Sequence, residues 1–481
     1  MIAPRVALEE LRAFEWPFRL RLPFRFGMIT VTHGRQAVIV ARVRLQDGTV
    51  AEGFAAETLA AKWFDKDPTL TDQENEHQLR RAIEIARDAY LAAGPSTPFA
   101  LFADTCAAIL AAAAAERLPP LVAGFGQALI DRAILDAVLR AAGLSFAAGM
   151  RANIAGLAPH PAIGDLADFD WAGFLGSLTP RRRIAARHTV GLVDPITAAD
   201  QPPGTRVEDG LPETLEEVCA TYRHSYFKLK VGGDVAADLD RLCRIANVLD
   251  RGSPGYRVTL DGNEQFADAE GMLALWRAIE AEPRLATLRN AVLFIEQPLR
   301  RAAALSTDIT AVAAHRPVII DESDGSLDAF LTARDCGYRG VSSKACKGIY
   351  KSLVNLARCR SWNAALGAER FFMSGEDLTT LAGLCVQQDL ALVSVLGLDH
   401  VERNGHHFVD GFTGRPRAEA ERFLAAHPGL YRASDRGPRL RIADGMLDLG
   451  SLDCAGLGAA VLPDTAAMET MPKALWPVSS G

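Results

Sequence analysis

Three stretches, YRVTLDGN (256–263), AVLFIEQP (291–298) and PVIIDES (317–323), decide the fold. Each is a short apolar run closed by an acid, at Asp261, Glu296 and Asp321. Uninterrupted Val, Ile, Leu and Phe mark strands covered on both faces, as in a parallel sheet between helices. A carboxylate at the last position then lies where strand becomes loop. In a (β/α)8 barrel the carboxyl ends of the strands converge on one mouth. Three acids on neighbouring strands there suit a hard, oxygen-seeking cation such as Mg2+.

Outward from these runs, strand and helix alternate from about Arg187. HTVGLVD (188–194) leads to ETLEEVCATYR, YFKLKV (226–231) to VAADLDRLCRIANVLD, and the three acid-ended runs to helices of their own. GVSSKAC, FFMSGED and HVERNGHH (400–407) complete eight strands. The expected architecture is a (β/α)8 (TIM) barrel over 185–410, with a modified last unit because no clear eighth helix follows His407. Upstream, LRLPFRFG, QAVIVARVRL and TVAEGFAAE form an antiparallel meander with a turn at Asp47-Gly48. Gln78 to Ala93 and Ala128 to Ala142 carry apolar residues at helical spacing. Residues 1–160 therefore read as a separate α+β domain, completed by the tail 411–481, since domain termini often lie close together.

Of 481 residues, 49% are hydrophobic and 23% charged, the balance of a globular protein with a substantial core. A net charge of −7 and no clustered Lys/Arg run argue against nucleic-acid and anionic-membrane partners and favour a small molecule. The eight cysteines show no metal-ligand spacing and read as reduced, which fits a cytoplasmic location. The N-terminal stretch carries Glu9, Glu10 and Glu15 and lacks the apolar core of a secretory signal. The most apolar segment, Phe99 to Ala115, is interrupted by Asp104 and Thr105 and reads as too short to cross a membrane.

In YFKLKVGG, alternation puts Lys228 and Lys230 on the inner face and Phe227, Leu229 and Val231 towards the helices. Two ammonium groups about 6 to 7 Å apart and partly buried depress one another's pKa, so one is expected to reach neutrality near pH 7 and act as a base. Lys344, in VSSKACK (341–347), occupies the equivalent depth of the sixth strand, across the barrel from the second.

In their order along the chain, KLK, LDGNE, IEQP, DES and SSKACK resemble the enolase superfamily, and within it the muconate-lactonising-enzyme-like and mandelate racemase-like branch. FRLRLPFRFG, DGTVAEGFAAE and ALIDRAILDAVLRAAG resemble that family's capping domain. The resemblance implies Mg2+, one per subunit and replaceable by Mn2+, held by Asp261, Glu296 and Asp321. It also implies Lys230 as base, Lys344 as the opposing acid/base, and Lys228 beside a substrate carboxylate. Such sites abstract a proton α to a carboxylate through an ene-diolate. The outcome would be racemisation, epimerisation or cycloisomerisation, with dehydration of an acid sugar or hydroxy acid as the alternative. A metal-binding scaffold without catalysis is the reading from another class, and the lysine pair weighs against it. The family also implies a homo-oligomer.

Some positions depart from the family pattern. CKGIYKS follows Lys344 where two glycines are usual, which puts the role of Lys347 in question. The seventh strand ends in SGEDLT without the histidine of the mandelate racemase branch. Asp321 is preferred to Glu322 as ligand because it is in phase with inward-facing Ile319. By strand-end position Asn263, Glu322, Lys347, Ser374, Glu376, Glu402, Asn404 and His406 are candidate substrate contacts. Trp63 is a further candidate substrate contact and, with Phe64 and Lys66 in AAKWFDKDP (60–68), a candidate for a lid over the barrel. Gly124 and Gly126 lack the third glycine and the βαβ setting of a dinucleotide site.

Overall fold

The computed structural model describes residues 2–26 and 29–477. Gly27, at the end of the first expected strand, and 478–481 of the tail lie outside them. Strands Val6–Phe26, Ile29–Leu45 and Val50–Thr58 form an antiparallel sheet. Gly48, at φ +87°, makes the turn between the last two, and the Thr49 amide donates to Asp47 Oδ1 at 2.9 Å. Helices Asp72–Ala92, Pro98–Ala115 and Pro120–Ala141 belong to the same unit. The first begins on a capping box between Thr71 and Glu74.

Gly126 explains AGFGQAL. A Cβ there would stand 2.1 Å from the Ala82 carbonyl, so the glycine lets two helices touch. Helix Pro98–Ala115 is long and apolar enough to cross a membrane by length and composition, contrary to the expectation that it is too short. Its Phe99, Phe102 and Ile109 are nevertheless buried in the core of this unit.

Among the described residues, eight parallel strands form the barrel: Arg183–Val190, Tyr226–Lys230, Arg257–Asp261, Val292–Glu296, Val318–Ile320, Gly340–Ser343, Phe372–Gly375 and His400–Glu402. Pairing of His400 with Ala185 closes it. The first strand starts earlier than HTVGLVD, which supplies only its last three residues. Outer faces such as Phe227, Leu229, Val258 and Leu260 are fully covered.

Two helices follow the last strand, the short Gly405–Phe408 and then Arg417–Ala426, whose Ala420 and Phe423 belong to the same core cluster as Ile184, Ala186 and Val401 of the first and eighth strands. The sequence RAEAERFLAA hides this because few apolar residues mark its buried face. The tail serves both units. Met446–Asp448 pairs antiparallel with the start of the first barrel strand, and Glu469–Thr470 pairs with the N-terminal strand at Phe14 and Glu15.

Candidate active site

The second, third and fourth barrel strands run in register so that Lys230 lies beside Asp261 and Asp261 beside Glu296. Asp321 follows the fifth strand directly. Lys230 Nζ donates to Asp261 Oδ2 at 2.5 Å, and Lys344 Nζ donates to Asp321 Oδ2 at 2.7 Å. Asp321 is further held by the Ser342 hydroxyl, and Lys347 reaches both Ser342 Oγ at 2.7 Å and the Asp321 carbonyl at 3.3 Å. Lys347 thus buttresses Asp321. It is not among the residues that line the cavity described below.

Lys228 is the hub. Its ammonium lies 2.9 Å from Asp261, 2.8 Å from Glu296, 2.9 Å from Glu376 and 3.1 Å from Glu402. This overturns the expected lowering of its pKa. Burial works to lower it, but Asp261, Glu296, Glu376 and Glu402 override burial and hold it well above the ordinary lysine value. Lys344 behaves alike: burial lowers its pKa, and the Asp321 charge more than reverses this. For Lys228 and Lys344, like-charge repulsion loses because each ammonium touches a carboxylate at contact distance.

The acids diverge. Burial, with the charges of Asp261 and Glu376 beside it, pushes Glu296 well above the carboxylate range, and its Oε2 is buried without a partner. Asp261 is lowered, its burial outweighed by Lys228 and Lys230. The orphaned Glu296 oxygen and the like charges of Asp261 and Asp321 acting on it would both be relieved by a divalent cation held among them. The donor set is all oxygen, which suits Mg2+. Asp261, Glu296 and Asp321 therefore fit the metal.

A cavity of about 140 Å³ opens over these groups. Lys228, Lys230, Asn263, Asp321, Lys344, Glu402 and Asn404 are among the polar residues lining it, while Phe18, Leu20, Phe24 and Val31 of the N-terminal sheet line it with apolar surface. Trp63 stacks its ring 4.0 Å from Lys344 Nζ. The loop that carries Trp63 is fixed to the barrel. Arg301 donates to the Trp63 carbonyl at 3.0 Å and the Phe64 carbonyl at 2.6 Å while paired with Glu264, and Lys66 pairs with Glu264 at 2.6 Å and Glu322 at 3.3 Å. Glu322 also accepts from Asn263 Nδ2 at 2.7 Å. It serves the loop contact, and Asp321 faces the cavity.

Other candidates are placed elsewhere. Ser374 and Glu376 lie within the barrel interior, where Glu376 binds Lys228 and the Arg187 guanidinium. Arg187 lies outside the strand expected at HTVGLVD, whereas the observed strand starts five residues earlier, at Arg183. Alternation in RIAARHTV would have placed it inward. His406 is outside the barrel wall, near His224 and Tyr222.

No family model matches the sequence, and no curated protein matches it. Solved structures do. A mandelate racemase/muconate lactonizing protein from Herpetosiphon aurantiacus superposes with a TM-score of 0.57 at 18% identity, over 95% of this chain and 99% of that one. The barrel and the N-terminal sheet domain are both within that span. This chain has the mandelate racemase/muconate lactonizing fold. A dipeptide epimerase from Enterococcus faecalis V583, complexed with Mg and L-Leu-L-Tyr, shares the fold with a TM-score of 0.58 at 14% identity, over 94% and 99% of the two chains. So does an enolase from Bradyrhizobium, complexed with magnesium and mandelic acid, with a TM-score of 0.54 at 17% identity, over 98% and 100%.

Proposed function

We propose that this protein is an enolase-superfamily enzyme that moves a proton at the carbon α to a substrate carboxylate, in a Mg2+-dependent racemisation or epimerisation. One observation carries the reading: Lys230 and Lys344, from the second and sixth strands, line one cavity, and each is hydrogen-bonded to a different member of the acid trio. Opposed lysines suit 1,1-proton transfer. Lys230, reacting as the neutral amine, takes the proton from one face and becomes the ammonium, while Lys344, held protonated beside Asp321, delivers one to the other. Asp261, Glu296 and Asp321 would hold Mg2+, which supplies positive charge where the substrate carboxylate gains its second negative charge.

Lys228 is less free to touch substrate than the resemblance implies, since four carboxylates surround it. Its role in this reading is to keep Glu296, Glu376 and Glu402 in place. The dehydratase alternative loses its motive for the same reason: Glu376 and Glu402 are tied to Lys228, Arg187 and Thr189, so the polar end of the eighth strand has little left for a hydroxylated chain. The apolar lining from Phe18, Leu20 and Phe24 supports an acid with an apolar substituent.

Deuterium uptake from D2O across a panel of α-substituted carboxylic acids tests this, with Mg2+ or EDTA. Exchange should require Mg2+ and fall by about 10²–10⁴-fold in Lys230→Ala and Lys344→Ala. Retention of full exchange in both variants would sink the proposal.

A further inference from the structure

On the outer face of the barrel wall, three histidines from separate parts of the chain converge. His188 lies on the first strand, His224 just before the second, and His406 in the short helix Gly405–Phe408 after the eighth. One ring nitrogen from each lies within 4.8 Å of the other two. His188 and His224 are buried, with 3% and 1% of their surface exposed. His188 Nδ1, His224 Nε2 and both ring nitrogens of His406 are buried and have no hydrogen-bond partner.

Unpartnered buried polar atoms are costly, and several in one place call for an occupant. We propose that His188, His224 and His406 form a second cation site, for a nitrogen-seeking divalent transition metal such as Zn2+, distinct from the carboxylate site inside the barrel. Neutral imidazoles without a carboxylate exclude Mg2+ and favour Zn2+ or its neighbours in the first row.

Two details fit a ligand role. His224 Nδ1 lies 2.9 Å from the Ala186 carbonyl, which fixes the proton there and leaves Nε2 as the free donor. A cavity of about 20 Å³, room for about one water, reaches His406 between Tyr222, Arg432 and Arg439. Of the neighbouring cations, Arg21 is paired with Asp209, Arg439 with Asp410 and Arg403 with Asp377 and Asp389. Zn–N bonds of about 2.0–2.1 Å require nitrogens somewhat closer than 4.8 Å, a gap that small ring rotations close. The site would join the first strand, the entry to the second and the end of the eighth, behind Arg187, Thr189 and Glu402.

The test uses the EDTA-stripped full chain, titrated with Co2+ in saturating Mg2+ and then with Zn2+ as competitor. Wild type and Glu296→Gln, which alters only the carboxylate site, should develop the visible absorption of nitrogen-ligated Co2+, and Zn2+ should abolish it. His224→Gln and His406→Gln should bind at least about tenfold more weakly. His406 is half-buried, so His406→Gln remains informative if His224→Gln does not fold. Anomalous scattering from a Zn2+-soaked wild-type crystal should place the ion among the three rings. A wild type without the band, a band that survives in His406→Gln, or a zinc peak elsewhere overturns the proposal.

Discussion

On the inner face of the first barrel strand, Arg187 binds Glu376 and Thr189 binds Glu402; on its outer face, His188 packs 5.6 Å from His224 and 5.0 Å from His407 with its Nδ1 unpartnered. Both faces are buried, but they solve burial differently. Inside, Arg187, Lys228 and Glu402 keep full charges, each set against an opposite charge because an isolated ion would cost several kcal/mol. Outside, the side chains stay neutral. Burial lowers His407 to about 3 and His224 to about 4, and no counter-ion is then needed. A wall two residues deep thus separates a paired ionic network from a set of free lone pairs.

The sharpest way to break this contrast is to remove the ionic hub. Lys228→Met leaves Asp261, Glu296, Glu376 and Glu402 facing one another, and a loss of about 3–5 kcal/mol is expected from urea unfolding midpoints and slopes. An unchanged midpoint would mean that the inner network does not depend on its central cation.

The outer face should reveal itself through pH. His224 and His407 titrate near 4 and 3 when folded, below the ordinary value of 6.5 that the unfolded chain shows. The unfolded state then binds more protons as pH falls, so stability is full above about 6.5 and declines towards pH 4, by up to about 3 kcal/mol for His224. His224→Gln should flatten that decline in metal-free protein. A slope identical to wild type would remove the distinction drawn above.

A smaller effect belongs to the contact between the N-terminal unit and the barrel. Arg301→Met takes donors from the Trp63 and Phe64 carbonyls and a partner from Glu264. About 1–3 kcal/mol is the expected cost, and faster amide hydrogen exchange over 61–66 should report it. Unaltered exchange there would show that Lys66 alone fixes the loop.

The barrel and its acids were legible because covered parallel strands leave a continuous apolar signature and a carboxylate at its end breaks it. Lys228 and Lys230 were legible by alternation, and Lys344 by its depth in the sixth strand. The protonation of Lys228 was not, since it depends in part on Glu376 and Glu402, which arrive from strands about 150 to 170 residues later. Arg187 was lost to a boundary error on the first strand, the least reliable part of such a reading. The histidine cluster left no trace in sequence at all. His188, His224 and His406 share no spacing, and only closure of the eighth strand onto the first brings them together.

The last strands of the tail have a bearing on how the chain assembles. Met446–Asp448 completes the edge of the first barrel strand, and Glu469–Thr470 completes the N-terminal sheet against Phe14 and Glu15. These pairings close loops of roughly 260 and 450 residues, among the most demanding in entropy that the fold contains. A ribosome adding about 5–20 residues each second would leave both edges unpaired for roughly tens of seconds after their own strands are made. The two units are therefore sealed by segments synthesised long after the strands they cover, and removal of 446–470 would leave raw sheet edges on both.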